Sequence, residues 1–189
     1  KSSDLDPRVP TFARNAGLVA ARIGKGADAI PYLARAAALD PGDGPVALAL
    51  ADLKSRAGDD AGARAPLEAY VLKKRDDPVA WFNLAVLRTR TGDGPGAERA
   101  YRQVLRLDAS DLDALNNLGL LYIRTGRDRE AATLFTRLAG LNPSSADAAI
   151  TLGAIHARLK NHALAAASYG RATELAPKRA DLRIARADA

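Results

Sequence analysis

Residues 78–111 read PVAWFNLAVLRTRTGDGPGAERAYRQVLRLDASD. Trp81, Leu84, Ala85 and Arg88 fall at i, i+3, i+4 and i+7, and after the break Thr91-Gly92-Asp93-Gly94-Pro95 the residues Ala97, Ala100, Tyr101, Val104 and Leu105 do the same. That spacing places one face of each segment on a single side of a helix. Asp77 precedes the first segment, where a short side-chain oxygen accepts from unpaired N–H groups of the first turn. Pro78 stands where a missing N–H costs nothing. Gly92 follows the segment, where a left-handed residue commonly closes a helix. The stretch therefore predicts two helices joined by a tight turn.

The pattern continues on both sides at a step of 34 residues. That step joins Leu84, Leu118 and Leu152; Ala85, Gly119 and Gly153; Ala97, Ala131 and Ala165; Tyr101, Phe135 and Tyr169; and Pro143 and Pro177. Backwards it leads from Ala97 to Ala63 and Ala29, and from Leu84 to Leu50 and Ala16. No insertion interrupts the register, so five repeats follow: 10–43, 44–77, 78–111, 112–145 and 146–179. Asp43, Asp111 and Ser145 repeat the role of Asp77, and Gly24, Gly58 and Gly126 that of Gly92. One helix pair cannot bury both of its faces, so neighbours stack into a continuous core.

Composition agrees. Of 189 residues 48% are hydrophobic and 5% aromatic, which suits helices packed through small side chains. The absence of cysteine excludes disulfides, thiolate metal sites and thiol nucleophiles, but leaves the redox compartment open. No run of about twenty apolar residues spans a membrane, and no secretory apolar segment opens the chain. Because the chain starts at Lys1 and has no methionine, we read it as part of a longer protein. Leu5-Asp6-Pro7 repeats Leu39-Asp40-Pro41, so 1–9 reads as the tail of a preceding repeat or a linker. Residues 180–189 read as the start of a capping helix, with Arg183 and Arg186 at otherwise apolar places.

The repeat resembles the tetratricopeptide pattern W-x2-L-G-x2-Y, A-x3-F, P. Repeat four carries it as Leu115, Leu118, Gly119, Tyr122, Ala131, Phe135 and Pro143, and repeat three as Trp81, Leu84, Ala85, Ala97 and Tyr101. The resemblance covers 10–179. It implies an all-α fold, a right-handed superhelical α-solenoid of antiparallel helix pairs, and a non-catalytic scaffold that binds a peptide or helix of a protein partner in its concave groove. The alanine- and arginine-rich composition points to a bacterial source and the repeat array to a place in a multiprotein complex, with a recognition module of a larger enzyme, such as a repeat-bearing glycosyltransferase, as the alternative.

The resemblance also implies a site. The second, fifth, ninth and twelfth places of each first helix face the groove, which selects Val79, Phe82 and Val86, then Asn116, Leu120 and Ile123, then Ile150. Asn83 and Asn117 share the sixth place, where asparagine often holds a ligand backbone. Arg22, Arg56, Arg90, Arg124 and Arg158 recur once per repeat near the end of the first helix. Such cations favour a helix C-terminus, and they also predict an electropositive edge toward acidic groups of a partner; Arg90, Arg124 and Arg158 join the site on that ground. The carboxylate clamp of chaperone-binding relatives fails in every window, as with Arg14 and Leu18, Ala49, then Val79 and Asn83.

No catalytic constellation is legible. His156 aligns with the packing residue Tyr122 and His162 falls in a turn, with no nucleophile or third metal ligand. Gly24-Lys25-Gly26 and Gly92-Asp93-Gly94-Pro95-Gly96 lack the spacing of a phosphate loop. Neither cofactor nor metal is expected. The net charge of +6 is dispersed, without basic clusters beside aromatic platforms, so no nucleic-acid partner is expected. Finally, Pro31 and Pro66 fall inside the second helices of repeats one and two, where proline removes a bond and crowds the preceding turn. Those helices should kink or start late, and hydrogen exchange should be fastest in 10–77.

Overall fold

The computed structural model describes residues 10–179. The ends read above as a preceding tail and a capping helix lie outside the described residues. The described residues form no strand and ten long helices, with 177–179 also helical: α1 Pro10–Arg22, α2 Gly26–Leu39, α3 Gly44–Arg56, α4 Asp60–Lys73, α5 Pro78–Arg90, α6 Gly94–Leu107, α7 Leu112–Arg124, α8 Asp128–Leu141, α9 Ala146–Arg158 and α10 His162–Leu175. First helices begin at 10, 44, 78, 112 and 146, and second helices at 26, 60, 94, 128 and 162.

Local chemistry sets these limits. The side chains of Asp43, Asp77, Asp111 and Ser145 accept from the backbone N–H three residues on, at 3.2, 3.0, 2.7 and 3.1 Å. Asp59 and Asp93 do the same ahead of the second helices, at 2.8 and 2.9 Å. Gly24, Gly58, Gly92 and Gly126 take φ of +80, +83, +80 and +74° after the first helices. In repeat five the left-handed place falls to Lys160, at φ +59°.

The prolines do not delay the second helices, as one half of the sequence expectation had it. α2 and α4 start on schedule and run through Pro31 and Pro66 as continuous helix. The carbonyl that loses its partner at Pro31 belongs to Ala27, and both residues are exposed, so water can take the bond. His162 likewise opens α10 rather than lying in the turn.

α1–α6 form one compact body and α7–α10 another. In the N-terminal body each first helix packs on its own second helix, and α2 and α4 pack on the next first helix. α1 and α3, and α3 and α5, also touch, whereas the second helices approach one another less. The first helices therefore line the inner face of this body. In the C-terminal body α7 pairs with α8, α9 with α10, and α8 packs on α9.

The pairs close through size complementarity. Ala29, Ala63, Ala97 and Ala131 are fully buried. The eighth place of the first helix is Gly17, Ala51, Ala85, Gly119 or Gly153, and the large residue facing it in turn is Leu33, Leu67, Tyr101, Phe135 or Tyr169. A Cβ on Gly119 would lie 2.6 Å from a Phe135 ring carbon, and one on Gly153 2.8 Å from Tyr169. A second close approach is particular to repeat two. The buried Tyr70 hydroxyl sits where a Cβ on Gly44 would be, 2.6 Å away, and donates to Asp77 at 2.9 Å. Burial, that hydrogen bond and the neighbouring carboxylates push the phenol up to about 12.

Candidate functional site

A cavity of about 410 Å³ opens on the inner face of the N-terminal body, between α3 and α5. From α5 it takes Val79, Asn83, Val86 and Arg90, four of the residues selected from sequence. From α3 it takes Leu48, Asp52 and Ser55, which that selection left out. These are the fifth, ninth and twelfth places of repeat two, so the place rule used for repeats three to five would have found them. Val79 is 56% exposed and Leu48 and Val86 half-buried, giving the cavity an apolar floor.

Its polar groups are largely committed. The amide nitrogen of Asn83 donates to the Val79 carbonyl at 2.9 Å, so within the helix only its nitrogen is engaged. Arg90 closes one end. Its guanidinium pairs with Asp60 at 3.0 Å and donates to the Ser55 hydroxyl at 2.9 Å, and that hydroxyl donates to Asp60 at 2.7 Å. Arg90 thus ties α5 to α3 and α4, and its charge is compensated. Asp52 pairs with Arg56 one turn on. The groove is close to neutral.

Phe82 is half-buried and meets Tyr101 edge-on at 5.9 Å between ring centroids, so it serves the α5–α6 packing more than the cavity. In the C-terminal body Leu120 is 43% exposed on α7, and Asn116, Asn117 and Ile123 are half-buried. The Asn117 amide donates to Asp113 O at 2.8 Å, as Asn83 does in its own helix. Arg124 is exposed and makes no ion pair among the described residues. Arg158 pairs with Asp128 at 3.0 Å.

Ile150 departs from the sequence reading. It is 2% exposed and packs with Ala149 and with Ala172 of α10. Ile150 sinks against its own second helix, as Phe82 partly does, and offers almost no surface to a ligand. The arginine edge is likewise not uniform. Arg90 and Arg158 each meet a carboxylate thirty residues upstream, whereas the same step from Arg56 and Arg124 leads to Gly26 and Gly94.

Among the described residues no group of three or more His, Cys, Asp or Glu is placed to hold a metal ion. No helix among them is long and apolar enough to cross a membrane.

Antiparallel helix pairs repeating every 34 residues, with a cavity between the first helices of repeats two and three, define a helical-repeat protein of the kind that holds other proteins. Tetratricopeptide repeat models match residues 23–86, 87–138 and 117–180. The chain belongs to the tetratricopeptide repeat family. Solved structures with the same fold include MamA, 20% identical, with a TM-score of 0.79 over 91% of this chain and 94% of that one. Another is YrrB, described as a tetratricopeptide repeat protein with an unusual peptide-binding site. It is 16% identical, with a TM-score of 0.79 over 98% of this chain and 95% of that one. No curated protein matches the chain in sequence.

Proposed function

We propose that the chain is a non-catalytic scaffold that binds an extended peptide or short helix of a protein partner in the groove between α3 and α5. The observation that carries this is the cavity of about 410 Å³, with Leu48, Val79 and Val86 as an apolar floor between polar ends. That volume lies within the range of ligand-binding clefts. An apolar side chain of the partner would enter over Val79 while its backbone N–H meets the Asn83 amide oxygen. The compensation of Arg90 by Asp60 favours a partner recognised by apolar contact here rather than by its acidity. The fold of MamA and YrrB supports the scaffold reading, and the peptide-binding site named for YrrB gives a precedent within this fold.

A displayed library of random peptides selected on the full chain tests the reading. Selected binders should lose about tenfold or more in affinity, roughly 1.4 kcal/mol, to a Val79→Asp variant. The exposed site makes that change tolerable to the fold. Equal binding by a folded variant moves the site elsewhere.

A further inference from the structure

The N-terminal body has a second and larger cavity, of about 650 Å³, on the side of its second helices, among α4, α5 and α6. Its floor is apolar, made by Val71, the 69% exposed Leu72 and Trp81. The Trp81 indole N–H donates to the Arg75 carbonyl at 2.9 Å, and Gln103 donates to the same oxygen at 3.2 Å. The indole hydrogen bond thus fixes the ring in the lining. Along the rim α6 sets Arg99, Arg102 and Arg106 at i, i+3 and i+7, one stripe about 10 Å long.

The charges of this rim are less compensated than those of the groove. Arg102 pairs with Glu98 at 2.9 Å. Arg106 bonds only the neutral side chain of Gln103, and Arg99 makes no ion pair among the described residues. The carboxylate in the lining, Glu68, is already held by Arg64 and Arg88, both at 3.1 Å. Two uncompensated guanidinium groups therefore flank an apolar slot with an aromatic wall.

We infer that this cavity is a second binding site, for an acidic peptide segment carrying a bulky apolar side chain. The side chain enters between Leu72 and Trp81, and carboxylates on either side of it meet Arg99 and Arg106. Guanidinium groups match carboxylates in planar, two-bonded pairs, and an indole beside an aliphatic residue holds leucine or phenylalanine through contact area. A nucleic-acid strand would need successive aromatic platforms along the basic track; the lining offers a single ring. The site is independent of the α3–α5 groove, with which it shares no lining residue.

Trp81 is the only tryptophan of the chain and lines this cavity, so its fluorescence is a direct reporter of binding here. The full chain is titrated with the blocked peptide Asp-Glu-Leu-Phe-Glu-Asp, with its Lys/Arg counterpart, and with single-stranded oligothymidylate. The acidic peptide should change the emission saturably and bind more weakly as salt rises. An R99E/R106E variant should lose at least about tenfold in affinity, the milder R99Q/R106Q less, with circular dichroism showing both folded. Val79→Asp in the other groove separates the two sites. The inference is overturned by an unchanged emission, by an equal response to the basic peptide, by a response to oligothymidylate alone, or by full affinity in the folded Arg99/Arg106 variants.

Discussion

Gly119 has no room for even a methyl group, because the Phe135 ring lies 2.6 Å from where a Cβ would be. A Gly119→Leu change must push that buried ring aside, and overpacking of this kind costs about 1–3 kcal/mol. Thermal unfolding followed by circular dichroism should show a clear fall in Tm. Lys160 presents the opposite case. It holds φ at +59°, where a Cβ is strained, in a turn that the other repeats close with glycine. Lys160→Gly should raise stability by about 0.5–1 kcal/mol, read by urea unfolding, since the relief of strain exceeds the entropy glycine adds to the unfolded chain. Gly119 is legible in sequence as part of a column of small residues. Lys160 is marked only by its register, one step of 34 after Gly126, because nothing in a lysine itself marks a left-handed backbone. Tyr70 is equally hidden: its column holds Ala36, Val104, Leu138 and Ala172, and its partner Asp77 belongs to the next helix.

Helix starts and stops are legible in the sequence almost throughout, because caps, prolines and glycines recur at one spacing. The effect of proline inside α2 and α4 is not. Sequence gives the lost bond but not whether the stranded carbonyl faces water, and beside Pro31 it can. Pro31→Ala restores the N–H bond to Ala27 and should stabilise repeat one by about 1–3 kcal/mol, less the freedom the unfolded chain regains. A rise in Tm, with slower amide exchange across α2, is the expected outcome. A lower Tm would mean that the ring of Pro31 contributes contacts worth more than the bond.

At the scale of the whole molecule the question is where charge is spent. Glu68 bonds Arg64 in its own helix and Arg88 of α5, and both arginines approach Asp93 at the start of α6, so the cluster joins three helices. Burial raises the Glu68 carboxyl, but the hydrogen bonds and charges of Arg88 and Arg64 outweigh it and hold it below its ordinary 4.5. A carboxyl lowered on folding contributes stability above its unfolded value and loses it as pH falls through the folded one. Wild type should therefore exceed a Glu68→Gln variant in stability at neutral pH, and the two should converge as pH drops below about 4.5 in denaturant titrations. A gap that persisted in acid would assign the contribution to packing instead. The groove is only partly legible in sequence for a related reason. The place rule finds Val79, Asn83 and Val86, but whether an arginine is free depends on a residue thirty positions upstream, in a column that reads Gly26, Asp60, Gly94, Asp128, His162. That column shows no consensus, so a ladder that looks uniform is not.

The same alternation bears on how such an array could be recombined. Repeats two and three share the Asp60–Arg90 pair, and repeats four and five share Asp128–Arg158, while the corresponding place in repeats one and three is a glycine. The molecule is thus written at a period of two repeats laid over its period of one. Grafts or deletions that move residues 44–111 or 112–179 as blocks carry both partners of each pair together, whereas exchange of any one of repeats two to five strands an arginine or an aspartate.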